Sequence, residues 1–75
     1  MSFYIVKRFY GDKTTEHYYT GLDDQELLYS TEKSDAEMFD NLEVCYLRYE
    51  PLRKELIKKN NSEYYLIIDS TRSDS

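Results

Sequence analysis

The strongest structural signal in this sequence is an apolar run near its C-terminal end, residues 63–69 (EYYLIID). Aromatic and β-branched residues in an unbroken run of this length are typical of a strand that is covered on both faces. We therefore predict a strand here, in a central or well-covered position. The fold expected for this chain is built around a sheet.

Two further strand patterns stand at the N-terminal end. Residues 2–10 are rich in aromatic and β-branched side chains, and residues 16–20 (EHYYT) resume the pattern before Gly21 ends it. The turn residues 11–13 (GDK) lie between them, so we predict a hairpin with a loop of about five residues. A short apolar stretch, residues 27–31, is expected to complete a three-stranded meander.

A helix is predicted to begin near Ser34. Ser34 and Glu37 have the spacing of a capping box, in which each side chain satisfies a backbone N–H group of the first turn. Ala36 and Phe39 would face the core from this helix.

Residues 41–60 allow two interpretations. Leu42, Cys45, Tyr49, Leu52 and Leu56 recur at helical spacing, but Pro51 interrupts the pattern. Proline inside a helix removes a hydrogen bond and costs about 3 kcal/mol. Either a kinked or broken helix spans the segment, or residues 42–49 form a strand and Pro51 opens a separate helix. Asn60 and Asn61 would end the helix.

These patterns predict an α+β fold in which a small antiparallel sheet, a hairpin or meander plus the C-terminal strand, packs against one or two helices. A chain of 75 residues suits a single domain, expected over residues 1–70 with a frayed polar tail at 71–75. A lone cysteine, Cys45, with no apolar run long enough for a signal peptide or a membrane span, indicates a cytoplasmic protein. We expect Cys45 to be a small buried residue.

The residues that usually carry catalysis or bind cofactors are sparse. His17 is the only histidine and has no metal-ligand spacing around it. Residues 23–26 (DDQE) lack the alternating acids and glycine of a calcium loop, and two glycines cannot form a phosphate loop. We therefore expect no enzyme activity, no metal and no cofactor.

Charge is distributed unevenly along the chain, whose net charge is −5. Residues 23–43 contain eight acids and one base, whereas residues 48–59 contain five bases and two acids. An acidic surface on a small scaffold can attach to a basic groove, with carboxylates in place of phosphates. It can equally be a solvated face that only keeps the protein soluble. The candidate partner-binding residues are six acids and three tyrosines: Asp23, Asp24, Glu26, Asp35, Glu37, Asp40, Tyr18, Tyr19 and Tyr29.

Three segments resemble small accessory proteins encoded by phages and prophages of Gram-positive bacteria: residues 4–7 (YIVK), residues 18–21 (YYTG) and residues 35–39 (DAEMF). The resemblance covers about residues 3–40, and Pro51 departs from the pattern in the following helix. It implies a protein made in a bacterial host cell, of a kind that includes inhibitors of host defence nucleases such as CRISPR effectors.

The leading hypothesis is thus a non-enzymatic inhibitor that binds a host protein, a CRISPR effector or another nuclease, through an acidic, tyrosine-bearing face that mimics nucleic acid. The alternative is an assembly module that self-associates, for example as a homodimer, through a strand edge. Direct nucleic-acid binding would need the bases of the helical segment and is disfavoured by the acidic net charge. Those bases are Arg48, Arg53, Lys54, Lys58 and Lys59.

Overall fold

The computed structural model of the protein describes residues 2–11, 15–24, 26–59 and 63–71. Its elements are strands β1 (Phe3–Phe9), β2 (Glu16–Tyr19) and β3 (Tyr29–Ser30), a 3-10 turn (Lys33–Asp35), helix α1 (Leu42–Lys58) and strand β4 (Tyr64–Ser70). The predicted turn residues 12–13, the helix stop at Asn60–Asn61 and residues 72–75 of the predicted tail 71–75 lie outside the described residues.

The four strands form one antiparallel sheet in the order β3-β2-β1-β4. The predicted hairpin, meander and C-terminal strand are all present, and α1 packs against the sheet, so the α+β prediction is confirmed. β4 pairs along its whole length with β1, from Phe3 opposite Ser70 to Phe9 opposite Tyr64. The first and last strands of the chain therefore hold the fold together.

The core lies between α1 and one face of the sheet. Ile5 and Cys45 are fully buried there, with Tyr19 and Leu66 nearly so. Side chains alternate between the two faces of a strand, so Tyr4 and Val6 of β1 point to the face away from the helix. The small buried residue expected at Cys45 is confirmed.

Of the two positions predicted for β4, central or well-covered, the central one is wrong. β4 is an edge strand, and its apolar run is covered on one face by α1, over Leu66 and Ile68. On the other face Ile67 lies opposite Val6 of the central strand. The apolar run therefore does not show how many strands lie beside β4.

The capping-box prediction at Ser34 is also wrong. Ala36 is extended, with a ψ angle of 134°, because the chain here hydrogen-bonds to the sheet. The Glu37 N–H donates to the Tyr19 carbonyl at 2.8 Å, and Phe39 forms a two-way bridge with Phe3. These sheet contacts replace a helix. The helix begins at Leu42 instead, where the Asn41 side chain accepts from the Glu43 N–H at 2.7 Å.

Helix α1 runs unbroken through Pro51, so residues 42–49 are helical and the strand interpretation of this segment is wrong. The predicted break in the helix is also absent. Proline cannot donate to the carbonyl one turn earlier, that of Leu47. Leu47 is 67% exposed, so its carbonyl lies on the solvent side of the helix. Water can satisfy it there, and the spacing of Cys45, Tyr49, Leu52 and Leu56 toward the sheet is preserved.

Candidate functional site

Five of the six predicted acids gather at one end of the sheet, where β1 begins and β2 ends. Asp23, Asp24 and Glu26 belong to the β2–β3 connection. Within it, the Glu26 N–H donates to Asp24 Oδ1 at 2.9 Å and the Leu27 N–H donates to the Asp24 carbonyl at 3.0 Å. The acidic residues therefore stand on a turn with its own internal hydrogen bonds.

Residues 31–41 return to the same end of the sheet. The Glu37 backbone is bonded to Tyr19, and its carboxylate packs beside Gly21, just before the acidic turn. Asp40 follows the bridge between Phe39 and Phe3 at the start of β1. We name the acids gathered here the acidic end: Asp23, Asp24, Glu26, Glu37 and Asp40.

Asp35 stands slightly apart, beside β3, where its carboxylate accepts a hydrogen bond from the Ser30 hydroxyl at 2.7 Å. All six predicted acids are exposed. In the described part of the chain none of them lies within ion-pair distance of a base, since the ion pairs found there join Arg8 to Glu16 and Lys59 to Glu55. Their charge is therefore available to a partner.

Lys33, the one base among residues 23–43, does not neutralise these acids by an ion pair. Its Nζ atom lies 5.3 Å from the centre of the Tyr4 ring, on the face of the sheet away from α1. A cation over an aromatic ring is attracted by the ring's negative face. The acidic surface therefore remains negatively charged in the folded protein.

The three candidate tyrosines do not join the acids in one contact surface. Tyr19 is only 5% exposed and belongs to the core, so its predicted role as a contact anchor is wrong. Tyr18 points to the face away from α1, where its hydroxyl donates to Glu16 at 3.1 Å. Tyr18 and Tyr19 are neighbours in the sequence, but side chains alternate along β2, so the two rings point to opposite faces of the sheet.

Tyr29 is half-buried against the core, with its ring centre 6.3 Å from that of Tyr19. The Lys7 ammonium lies 4.4 Å from the Tyr29 ring centre. Burial, with a smaller contribution from Tyr19, raises the pKa of Tyr29 to about 12. Burial, followed by repulsion from Lys59, lowers the pKa of Lys7. Tyr29 is therefore packed against the core on one side and is not a freely exposed aromatic contact.

Two leucines are exposed beside the acids. The sequence pattern assigned them only to connecting or strand segments and not to a binding surface. Leu22 is 51% exposed and Leu27 is 54% exposed, and they flank the acidic turn. Both line an open groove of about 680 Å³ along the β3 edge, together with Tyr29, Asp35 and His17. A sequence signal existed: three leucines, Leu22, Leu27 and Leu28, in an otherwise polar connection.

His17, which also lines this groove, has one ring nitrogen that is buried below the surface. Its Nδ1 atom is buried and has no hydrogen-bond partner in the described part of the structure. Unpaired buried polar atoms are uncommon in folded proteins and raise the question of a missing partner. The groove therefore combines two exposed leucines with one lining carboxylate, that of Asp35.

Comparisons of the chain with protein families, with curated proteins and with solved structures found no match. The site has to be interpreted from its own chemistry.

Residues 2–11, 15–24, 26–59 and 63–71 contain no cluster of three or more potential metal ligands. No helix in these ranges has the length and apolar character needed to cross a membrane.

Two of the bases considered for direct nucleic-acid binding lie on different sides of α1. Arg53 lines a groove beside β4, whereas Lys59 lines a cleft on the other side of α1, beside Lys7 and Tyr29. Binding a phosphate backbone requires several bases along one track. The helix distributes these bases around its axis instead.

Proposed function

We propose that this protein is a non-enzymatic binding protein that docks through its acidic end onto a basic, nucleic-acid-binding surface of another protein. The observation that carries the proposal is a set of exposed carboxylates without ion-pair partners in the described ranges, on the connection that also carries the exposed Leu22 and Leu27. Protein interfaces commonly combine an apolar centre with a polar rim. Here Leu22 and Leu27 supply apolar contact, and the acidic end supplies the charge.

The negative charge of the acidic end indicates which class of partner it can bind. Unpaired acids repel nucleic acid and attract clusters of Lys and Arg, such as those lining nucleic-acid channels. Together with the resemblance to phage accessory proteins, this favours an inhibitor of a bacterial host defence or nucleic-acid-handling protein, for example a CRISPR effector, working in the host cytoplasm. The inhibitor acts by occupying the site that nucleic acid needs.

The test compares two variants with the same change in net charge. Asp23→Asn/Asp24→Asn removes charge at the acidic end, and the asparagine introduced at position 24 keeps the side-chain oxygen that accepts from the Glu26 N–H. Glu50→Gln/Glu55→Gln removes the same charge from α1. The measurement is capture of purified nucleic-acid-binding proteins, CRISPR effectors among them, by each immobilised variant at low and at high salt.

We expect wild type and the helix variant to capture a nucleic-acid-binding protein, and the Asp23/Asp24 variant to lose it. Binding should weaken steeply as salt rises, since exposed charges are screened. Equal loss by both variants would show that only net charge matters, and binding that ignores salt would contradict the charge-led mechanism.

A further inference from the structure

A charged residue lies on the core face of the central strand β1. Lys7 shares this face with Ile5, because side chains alternate along a strand. Its neighbours across the sheet are His17 on β2 and Leu66 on β4. Lys7 is half-buried, and proteins seldom place a lysine inside without a partner for its charge. The surroundings of its ammonium group therefore need an explanation.

Two tyrosine rings lie beside this ammonium group. The Lys7 Nζ atom is 4.4 Å from the centre of the Tyr29 ring and 4.9 Å from the centre of the Tyr64 ring. Aromatic faces attract a cation, but they contain no oxygen that could accept from its three N–H groups. Neither of the ion pairs found among the described residues includes Lys7. The rings thus hold the ammonium group without supplying a negative charge.

The same side chain lines a cleft of about 190 Å³ between α1 and the sheet. Leucines make this cleft largely apolar: Leu28, Leu52 and Leu56. Lys59, at the end of α1, lines it as well. Burial, followed by repulsion from Lys59, lowers the pKa of Lys7, so the two positive charges act on each other across the cleft.

The charges that line this cleft do not balance. Glu55 supplies the one carboxylate among the lining residues, and it lies 3.9 Å from Lys59, with both side chains more than half exposed. An exposed pair of this kind is weak. Two bases and one acid leave one positive charge without a counterpart. An anion bound here would relieve the repulsion between Lys7 and Lys59 and would accept charge-assisted hydrogen bonds from them.

The size of the cleft limits what this anion can be. A water molecule occupies about 30 Å³ in the liquid, so the cleft has room for only about six such volumes. Sites for drug-sized ligands begin at about 300 Å³. One unbalanced positive charge suits a monovalent carboxylate better than a divalent phosphate, and the apolar walls suit a short hydrocarbon tail.

We propose that this cleft binds a small free monocarboxylic acid. The ammonium groups of Lys7 and Lys59 hold its carboxylate, and its apolar tail packs against Leu52 and Leu56 of α1. This inference goes beyond the proposed function and does not rest on it. The cleft lies beside the middle of β1, whereas the acidic end lies where β1 begins, so the Asp23→Asn/Asp24→Asn variant should bind the acid as wild type does.

The test is a titration of the full chain followed by two-dimensional NMR, with hexanoate as the probe. Hexanol has a hydrocarbon tail of the same kind without the charge, and inorganic phosphate has charge without the tail. The variants are Lys7→Met, Lys59→Gln and, as a control with the same change in charge, Lys54→Gln. Lys54 belongs to α1 but does not line the cleft. Circular dichroism checks that each variant is folded.

We expect hexanoate to bind more tightly than hexanol or phosphate. Lys7→Met should weaken its binding at least about tenfold, because Lys7 is the less exposed of the two bases. Lys59 is 57% exposed, so Lys59→Gln should weaken binding only about threefold, and Lys54→Gln should leave it unchanged.

Three results would overturn the proposal. The first is no saturable binding of hexanoate up to about 50 mM. The second is binding of hexanol or phosphate that is as tight as that of hexanoate. The third is equal affinity of the Lys59→Gln and Lys54→Gln variants, which decides the matter even if Lys7→Met fails to fold.

Discussion

Gly21→Ala tests how the turn into the acidic end is held. Gly21 has a φ angle of 81°, in the left-handed region that other residues avoid. That conformation costs an L-residue about 1–2 kcal/mol, and the lower chain entropy of alanine in the unfolded state offsets about 0.4–1 kcal/mol of this. The expected net loss is about 1 kcal/mol of unfolding free energy.

A second effect, steric contact, has to be separated from the first. A Cβ atom on Gly21 would lie 2.7 Å from the Glu37 Oε2 atom. Glu37 is exposed and its carboxylate can rotate away, so this contact should add little. The backbone conformation therefore dominates the expected cost.

The assay is thermal unfolding followed by circular dichroism, where about 1 kcal/mol corresponds to roughly 4–8 °C for a domain of this size. The cycle comprises wild type, Gly21→Ala, Glu37→Ala and the double variant. We expect Gly21→Ala to cost the same with or without the Glu37 side chain, and Gly21→Asn to cost less. If Gly21→Ala costs much less stability when Glu37 is already alanine, steric contact is the cause and the reasoning is refuted.

Three further predictions concern the packed interior. Tyr29 has a pKa of about 12 in the folded protein and an ordinary value of 10, so between these values the unfolded chain loses its proton first and stability falls as pH rises. Tyr29→Phe should reduce that fall in urea unfolding between about pH 10 and 12, and an unchanged slope would contradict it. Tyr49→Phe removes the hydrogen bond to the Leu66 carbonyl and should cost about 0.5–1.5 kcal/mol in the same assay, since water can reach that edge; no measurable cost would argue against the bond. Cys45 is fully buried, and burial raises the pKa of its thiol, so a thiol reagent should label native protein at least about 100-fold more slowly than unfolded protein. Equal labelling rates would show that the core is open.

Much of the fold could be predicted from the sequence because its strands are strongly patterned. The segments around Ile5, Tyr18 and Leu66 carry enough β-forming residues to identify three strands, and the turn residues between the first two make them a hairpin. The sheet order could not be predicted, since the pattern at β4 shows that it is apolar on both faces but not which strand lies beside it.

The errors arose where distant contacts override local preference. Ser34 and Glu37 have helix-start spacing, yet hydrogen bonds from Glu37 and Phe39 to the sheet keep this segment extended. Pro51 would break an isolated helix, but it lies on the solvent side of a helix whose other face is held by the core. Rules based on neighbouring residues in the sequence take into account neither the hydrogen bonds to the sheet nor the packing of α1 against the core.

The candidate site was predictable in its charge but not in its contacts. The run of acids from Asp23 onward is visible in the sequence, and folding brings Glu37 back beside it. The tyrosines were harder to place, because a tyrosine suits a core and a surface equally well. Tyr19 is buried, while Leu22 and Leu27 are exposed beside the acids. Only the tertiary structure separates these cases.

The central claim is that the acidic end occupies a nucleic-acid site, and a competition measurement tests it most directly. A labelled oligonucleotide is bound to the protein captured by wild type, and its release is followed as wild type, Asp23→Asn/Asp24→Asn or Glu50→Gln/Glu55→Gln is added. We predict full displacement by wild type and the helix variant, with the Asp23/Asp24 variant needing about tenfold more protein. A ternary complex in which the oligonucleotide stays bound, or equal displacement by all three proteins, would contradict the claim.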